Sequence, residues 1–447
     1  MSTKGFLIQI FLRTLRSSLY PLFVILIAFP ARAGDDAGHL RLFVDSELKM
    51  QFAVGRFDRR VHTMNRNSFA LLADGRVESI IIPVPDEALL FHRISYQSRL
   101  NTSTWIGQDS SGETTILITI GDDHLFARII TPDGVFLFKP LVEPFEVVSY
   151  RQDQKYETPL VDDAVPVPAL SRHSVPESSA DADDGSRIDM MIFYTNGMAA
   201  AHPGSQIDTR MQYLIDQANQ SFQNSNINTR FNLVHSAKVA YPDDSPGDKS
   251  EALDALTDNT GVFAGVENLR TTHGADQVTL LRQYVDEGCG LAWVLTNDKA
   301  RYSYAVVHDG SKTDGSGWFC SDLTYVHEVG HNLGCAHDRD NAGLTGRFDY
   351  SYGYQDPAQL FRTVMAYDCA GGCPRISYFS NPDVLYNGKP TGVVYTDPLS
   401  ADNARTINQT RVGMAGYRPE VVGPVINPPP ASSTLPLPAI MMMLNSP

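Results

Sequence analysis

The segment from Asp322 to Asp338, which reads DLTYVHEVGHNLGCAHD, constrains this chain more than any other part of the sequence. His327 and His331 are four residues apart, so on a helix both imidazoles lie on one face and can reach the same ion. Gly334 permits a positive φ, and the sharp turn that it allows would bring His337 back as a third ligand. Three neutral imidazoles leave the fourth zinc position open for water, as in catalytic sites. The spacing therefore predicts one catalytic Zn²⁺ ion.

Glu328 directly follows the first of these ligands. In His-Glu-x-x-His sites this glutamate contacts the water rather than the metal, so Glu328 is the predicted general base, which then carries the proton to the leaving amine. A purely structural zinc site would need a fourth side chain. Cys335 is the nearest candidate, but it stands two residues before His337, which would make the geometry cramped.

The extended motif HEVGHNLGCAHD resembles the zinc signature of the metzincins, and its histidine-aspartate ending is similar to the reprolysin-like branch. The segments CGLAW, CPRISYFSNPDVLYNGKPTG and ADNARTIN resemble secreted bacterial peptidases of that branch, most closely the peptidyl-Asp metalloendopeptidases. The resemblance implies an α/β (α+β) catalytic domain with a mixed twisted sheet and a zinc-binding helix, preceded by a β-rich propeptide domain. It also implies a zinc-dependent endopeptidase that uses a zinc-bound water and prefers bonds on the N-terminal side of Asp.

The resemblance assigns supporting roles to three further residues. Met365 in TVMAYD would form a hydrophobic floor beneath the ligands, although ordinary core packing is the alternative. Asp338 would orient the loop of the third ligand by hydrogen bonding. Tyr367 has the Met-x-Tyr spacing of other metzincin branches, so its hydroxyl would either stabilise the transition-state oxyanion or simply pack.

Substrate binding is expected at a sheet edge and at a cationic side chain. Gly290, Leu291 and Ala292 would form a rim that pairs with an extended peptide, or else a plain edge strand held by a disulfide at Cys289. Arg375 is the first candidate to receive an acidic substrate side chain, and Arg405 is the second. A solvated surface arginine is the alternative for each.

The chain is expected to be exported. Positive residues precede the apolar run LYPLFVILIAF and the sequence Ala31-Arg32-Ala33, a pattern typical of a cleaved signal peptide, with a membrane anchor as the alternative. We therefore predict a secreted or extracellular protein, periplasmic in transit, with no stable membrane insertion after signal removal. The predicted organisation is a signal peptide at 1–33, a β-rich propeptide at 34–160, a linker with the processing site at 161–187, the catalytic domain at 188–420 and a Pro-rich disordered tail at 421–447.

Export also permits disulfides, and the preferred pairs are Cys289 with Cys320 and Cys369 with Cys373. The apolar periodicity predicts a buried strand at IDMMIFYT and a helix over 206–225. A closing helix is predicted over 400–416, with Ser400 as its N-cap.

The net charge argues against some classes of binding partner. With 36 Lys and Arg against 51 Asp and Glu, the formal net charge of −15 disfavours nucleic acid and anionic membranes. The expected partners are a protein or peptide substrate and the chain's own propeptide as an intramolecular inhibitor. Because the propeptide has no cysteine, it would inhibit through a carboxylate, a histidine or occlusion. Calcium could bind the acidic residues, but no EF-hand-like loop is present.

Two other functions remain open from the sequence. One is a catalytically silent binding or adhesion protein that keeps the fold, although such relatives usually lose the glutamate or a ligand and here all are present. The other is a zinc hydrolase of non-peptide bonds, which the extended histidine motif and the methionine turn disfavour.

Overall fold

The computed structural model describes residues 39–44, 59–84, 87–161, 163–168, 184–243, 248–285, 288–297 and 300–421. The predicted signal peptide lies outside these residues, as do the tail after 421 and most of the predicted linker. In the described residues no helix combines the length and the apolarity that a membrane crossing needs.

The N-terminal part is a nine-stranded sheet that is antiparallel except at one edge. Its strands run in the order β1-β3-β4-β5-β6-β7-β8-β9-β2, and one helix, α1 (Arg66–Ala73), precedes β3. The strands are β1 (Leu40–Arg41), β2 (Arg59–Thr63), β3 (Ser79–Pro83), β4 (Ala88–Ser98), β5 (Ser103–Gln108), β6 (Thr115–Ile120), β7 (Leu125–Thr131), β8 (Gly134–Pro140) and β9 (Glu146–Arg151). The β-branched and aromatic runs in this region therefore form strands, as their alternation predicts.

The C-terminal part is a mixed α/β layer structure around a second sheet. Its order is β10-β14-β15-β13-β11-β12, with β16 paired to β15. The strands are β10 (Ala164–Pro166), β11 (Arg187–Tyr194), β12 (Arg230–Lys238), β13 (Gln277–Gln283), β14 (Gly290–Val294), β15 (Tyr304–Ser311) and β16 (Phe319–Cys320). Short pairs β17 (Ala336–Asp338) with β18 (Tyr352–Gly353) and β19 (Leu385–Tyr386) with β20 (Lys389–Pro390) follow.

Six helices accompany this sheet: α2 (Asn196–Ala201), α3 (Gln206–Asn224), α4 (Lys249–Thr257), α5 (Val266–His273), α6 (Thr324–Asn332) and α7 (Asn403–Ala415). The predicted buried strand is β11, and the predicted helix over 206–225 is α3, which buries Met211, Leu214 and Phe222 in the core. Helix α6 packs against β14, β15 and α3, so the zinc motif lies on a helix buried along its whole length.

The predicted N-cap of the closing helix is wrong. Helix α7 begins at Asn403, and its cap is Asp402, whose carboxylate accepts a hydrogen bond from the backbone N–H of Arg405 at 2.9 Å. Ser400 lies too early and instead accepts two hydrogen bonds from the guanidinium of Arg339. A charged carboxylate at the start of a helix satisfies a free N–H and also faces the positive end of the helix dipole.

Residues 164–166 of the predicted linker are paired into the sheet. Strand β10 adds in parallel to β14, with Ala164 opposite Ala292, and Asp163 is only 1% exposed. Composition indicated a solvated segment because Pro, Ser and Asp dominate the residues further along. Residues 164–166 are held by sheet pairing, which composition does not report.

Candidate metal centre

Helix α6 places His327 and His331 one turn apart on its inner face. The residue between them that faces the core is Gly330, and a Cβ there would lie 2.6 Å from Sδ of Met365. Met365 is fully buried and therefore packs directly against the helix beneath the two imidazoles. A side chain at position 330 would force this floor away from the ligands.

The chain leaves α6 through Gly334, which has φ of +89°, a backbone conformation that favours glycine. The turn leads into β17, and His337 then faces back toward the helix. Its Nε2 lies 3.1 Å from Nε2 of His331, and its ring centroid lies 5.3 Å from that of His327. The three histidines predicted as ligands therefore converge on one point.

Two backbone carbonyls set the orientation of the helical imidazoles. Nδ1 of His327 lies 2.8 Å from the carbonyl of Val364, and Nδ1 of His331 lies 2.9 Å from that of Cys335. A carbonyl only accepts, so Nδ1 carries the proton and Nε2 keeps its lone pair free. Burial lowers the pKa of both imidazoles, which also favours the neutral form that binds a metal.

Asp163, from outside the motif, completes the group. Its carboxylate oxygens lie 2.8 Å from Nε2 of His337 and 3.3 Å from Nε2 of His327, and its backbone carbonyl accepts a hydrogen bond from Ala292. One ligand atom from each of Asp163, His327, His331 and His337 lies within 4.8 Å of every other. Three imidazole nitrogens with a carboxylate opposite them are a donor set suited to Zn²⁺.

Glu328 lies beside this group with no partner for its carboxylate. It is fully buried, and neither oxygen has a hydrogen-bond partner among the described residues. Burial and the charge of Asp163 both raise the pKa of Glu328. Gly290 makes room for it, because a Cβ there would lie 2.3 Å from Oε1. An unpaired buried carboxylate next to a metal group suits a proton acceptor rather than a packing role.

Asp338 and Tyr367 connect the loop that carries His337 to the turn that contains Met365. One oxygen of Asp338 accepts from the backbone N–H of Tyr367 at 2.9 Å, and the other accepts from Asn341. The ring of Tyr367 packs 4.2 Å from that of His337, while its hydroxyl donates to Asp163 at 2.7 Å. Tyr367 therefore both packs and directs its hydroxyl toward the metal group.

The predicted substrate rim is covered by the chain itself. Gly290, Leu291 and Ala292 belong to β14, which would be an edge strand if β10 did not pair with it. The disulfide Cys289–Cys320 ties the start of β14 to β16, and Cys369–Cys373 closes the loop after the methionine turn, so both predicted pairs are present. Cys335 is free and buried.

The two arginine candidates lie in different places. Arg375 is buried, and its Nη2 donates to Glu157 at 2.6 Å. Arg405 lies on α7 and stacks on Tyr395, with 3.8 Å between its guanidinium carbon and the ring centroid. Arg405 thus has an aromatic partner of its own away from the ligands, whereas Arg375 lowers the pKa of His327, after the larger effect of burial.

Sequence reasoning missed Asp163, Glu157 and Arg362. The first two belong to the chain before the catalytic domain, where no motif marks them. The sequence offered one hint: a predicted propeptide without cysteine would have to inhibit through a carboxylate, a histidine or occlusion. That reasoning does not say which residue is involved.

Comparisons with known proteins agree with this geometry. Residues 184–380 match the family described as metallo-peptidase family M12, in its Reprolysin_5 form. The chain is 27% identical over 352 residues to a peptidyl-Asp metalloendopeptidase of Stenotrophomonas maltophilia (strain R551-3), which covers 76% of this chain and 80% of the relative. It is 30% identical over 246 residues to one of Xanthomonas campestris pv. campestris, covering 54% of each. A Pseudomonas aeruginosa protein of the same name is 28% identical over 260 residues, 54% of this chain and 42% of that relative.

Proposed function

We propose that this chain, a metalloendopeptidase whose residues 184–380 carry the metallopeptidase domain of family M12, is a secreted zinc enzyme made as an inhibited precursor. The observation that carries the proposal is the convergence of three buried imidazoles beside an unpaired carboxylate. Its substrate is a protein or peptide. The N-terminal signal pattern and two disulfides support passage into an oxidising compartment.

His327, His331 and His337 would hold Zn²⁺, which when bound polarises a carbonyl and lowers the pKa of water to about 7. Glu328 accepts the proton from the attacking water and then gives it to the leaving amine. The hydroxyl of Tyr367 donates to the oxyanion that develops on the scissile carbonyl. Asp338 holds that tyrosine's backbone in place through the hydrogen bond to its N–H.

Asp163 keeps the precursor inactive. Its carboxylate lies among the ligand nitrogens and takes up the Tyr367 hydroxyl, so it occupies the position that water and a substrate carbonyl need. Strand β10 holds it there by pairing with β14. Cleavage within 165–187 would release this segment and return the edge of β14 to an extended peptide, which pairs through backbone groups and so tolerates many sequences.

A preference for bonds on the N-terminal side of Asp is drawn from the names of the relatives. It is supported here by Arg375, a buried guanidinium whose charge acts on both His327 and Glu328. An acidic side chain beside the scissile bond would find a cation there.

The test is metal-dependent cleavage by the matured, secreted protein. We expect a chelator to abolish cleavage of unlabelled casein and Zn²⁺ to restore it. Glu328→Gln should lower kcat by about 10²- to 10⁴-fold while the variant still binds one zinc per chain by elemental analysis. A protein without stoichiometric transition metal, or a Glu328→Gln variant with full kcat, would end the proposal and favour a silent binding protein.

A further inference from the structure

Two buried arginines converge on one carboxylate in front of the catalytic sheet. The side chains of Arg375 and Arg362 are 1% and 5% exposed, and that of Glu157 is 8% exposed. Arg375 donates from Nη2 to Glu157 at 2.6 Å, and Nη2 of Arg362 lies 3.5 Å from the same oxygen. The backbones of the two arginines also pair, which fixes their side chains on one wall.

The two arginines are not equally paired. Nε of Arg362 lies 3.5 Å from a carboxylate oxygen of Asp368, and its nitrogens also donate to the carbonyls of Cys373 and Ala366. Nε and Nη1 of Arg375 have no hydrogen-bond partner among the described residues, so Glu157 is the anion that pairs with Arg375. Burial lowers the pKa of Arg375, and the charge of Arg362 lowers it further, against the opposing effect of Glu157. A buried guanidinium with free donors is costly unless an anion meets it, so this wall requires a carboxylate.

The carboxylate that pairs with Arg375 is that of Glu157. It belongs to the segment beside the metal group, residues 157–166, which we call the covering segment. Glu157 precedes Asp163 by six residues, and the next residue, Thr158, donates its backbone N–H to Phe319 of β16. Burial alone would raise the pKa of Glu157, but the charges of Arg375, Arg362 and Arg128 hold it below its usual range. Glu157 is therefore ionised, as an acidic substrate side chain would be.

The covering segment connects the arginines to the edge of β14. After Asp163 the chain pairs with β14, and before it the chain runs along β16 to the arginines. On its far side Arg375 lines a cavity of about 520 Å³ between residues 128–135 of the N-terminal sheet and residues 374–378. Removal of the covering segment and of the N-terminal sheet would therefore expose Arg375 on both sides.

We infer that Arg375 and Arg362 form the pocket that selects an acidic substrate side chain, and that Glu157 fills it in the precursor as an internal mimic of that side chain. This rests on the proposed peptidase function and extends it to the residues that set specificity. Arg375 makes the direct ion pair with the acidic side chain. Arg362 adds positive charge and keeps the backbone at Arg375 in place. The covering segment thus blocks the site at two points, with Asp163 at the metal ligands and Glu157 in the specificity pocket.

The first experiment compares three peptides that differ only in the residue after the scissile bond, Asp, Asn or Leu, with the secreted, matured enzyme. Arg375→Gln should lower the ratio of kcat/KM for the Asp peptide to that for the Leu peptide by roughly 10- to 150-fold, the worth of one charged hydrogen-bonded pair. Arg375→Lys should recover part of the ratio, and Arg362→Gln should lower it less. Arg405→Gln is the matched control and should leave the ratio unchanged.

A second measurement needs no variant enzyme and so does not depend on how arginine variants fold. A synthetic peptide of residues 155–166 should inhibit the wild-type enzyme competitively, and the same peptide with Glu157→Gln should inhibit at least about tenfold more weakly. Equal inhibition by both peptides, or equal losses on the Asp and Leu peptides in Arg375→Gln, would overturn the assignment of the pocket. Absence of chelator-sensitive cleavage of all three peptides by the wild type would instead refute the proposed function.

Discussion

In the proposed inhibited precursor, Asp163 is the residue that decides whether the site is available. A carboxylate within 2.8 Å of Nε2 of His337 competes for the same space as the water that hydrolysis needs. Its geometry comes from a backbone hydrogen bond to Ala292 and from the Tyr367 hydroxyl. Removal of its side chain leaves that backbone pairing in place and takes away only the carboxylate.

Asp163→Ala should therefore make the uncleaved precursor active. We expect cleavage of a quenched peptide to rise by roughly 10- to 150-fold, because a carboxylate paired with charged or polar groups contributes about 1.5–3 kcal/mol. The precursor must be shown by mass spectrometry to be intact at the end of the assay. Asp153→Ala removes an acidic side chain of the same region that pairs with Lys155, so it is the control and should stay as inactive as the wild type.

Helix α6 owes its position to a buried charge cluster at its N-terminal end. Asp322, two residues before the helix, and Asp309 of β15 both bind Arg210 of α3, at 2.5 Å and 2.6 Å. Tyr213 donates to the second oxygen of Asp322. Each acid has charged or polar partners, so the cluster fixes where the ligand helix meets α3 and the sheet.

This cluster predicts acid sensitivity. Burial alone would raise the pKa of Asp309 and of Asp322, but the charge of Arg210 outweighs it and lowers both. Their contribution to stability is therefore complete above the unfolded carboxyl pKa of about 4 and is lost as the pH falls through the lower folded values.

Asp309→Asn should lower the stability of the precursor by about 3–5 kcal/mol at pH 7, because it leaves Arg210 buried with less compensation. Thermal unfolding measured from pH 7 to pH 3 should show that the difference from wild type shrinks on acidification. Asp314→Asn is the control, since that carboxylate is 48% exposed and pairs with Lys312. A constant difference across this pH range would mean that the Asp309 carboxylate does not titrate as argued.

At the scale of the whole molecule, the N-terminal sheet is bound to the catalytic part through α3. Asp216 on that helix is 3% exposed and accepts hydrogen bonds from Thr104, Thr119 and Arg99 of the N-terminal part. Leu117 and Phe126 of the N-terminal sheet belong to the same apolar cluster as α3. The sheet therefore packs on the catalytic part through α3, whereas Asp163 contacts the ligand histidines directly.

Asp216→Ala should weaken the hold of the N-terminal part after the linker is cut. We expect the apparent Kd of the cleaved N-terminal part for the catalytic part to rise by roughly 10- to 150-fold, because the two buried threonines and the partly buried Arg99 lose their acceptor. Co-elution in gel filtration after limited proteolysis of the precursor would measure this. Asp208→Ala, an exposed acid on the same helix, provides the matched control. Unchanged co-elution of the Asp216 variant would show that apolar contacts alone hold the sheet.

The convergence of the three histidines was predictable because the signal is local. A spacing of four on one helix and a single glycine at positive φ bring His327, His331 and His337 together within eleven residues. The helical spacing of side chains and the turn at a glycine both act within a few residues of the chain. Local patterns also allowed α3, β11 and both disulfides to be predicted.

The carboxylates that cover the site were decided by tertiary structure. Glu157 and Arg375 are 218 positions apart, and Asp163 and Tyr367 are 204 apart. What brings them together is edge pairing at two places, β10 with β14 and Glu157 with Phe319 of β16, and a strand edge accepts almost any backbone. Sequence alone therefore predicted the three converging histidines, whereas the fold decided which acidic residues lie beside them, because edge pairing leaves no local pattern to read.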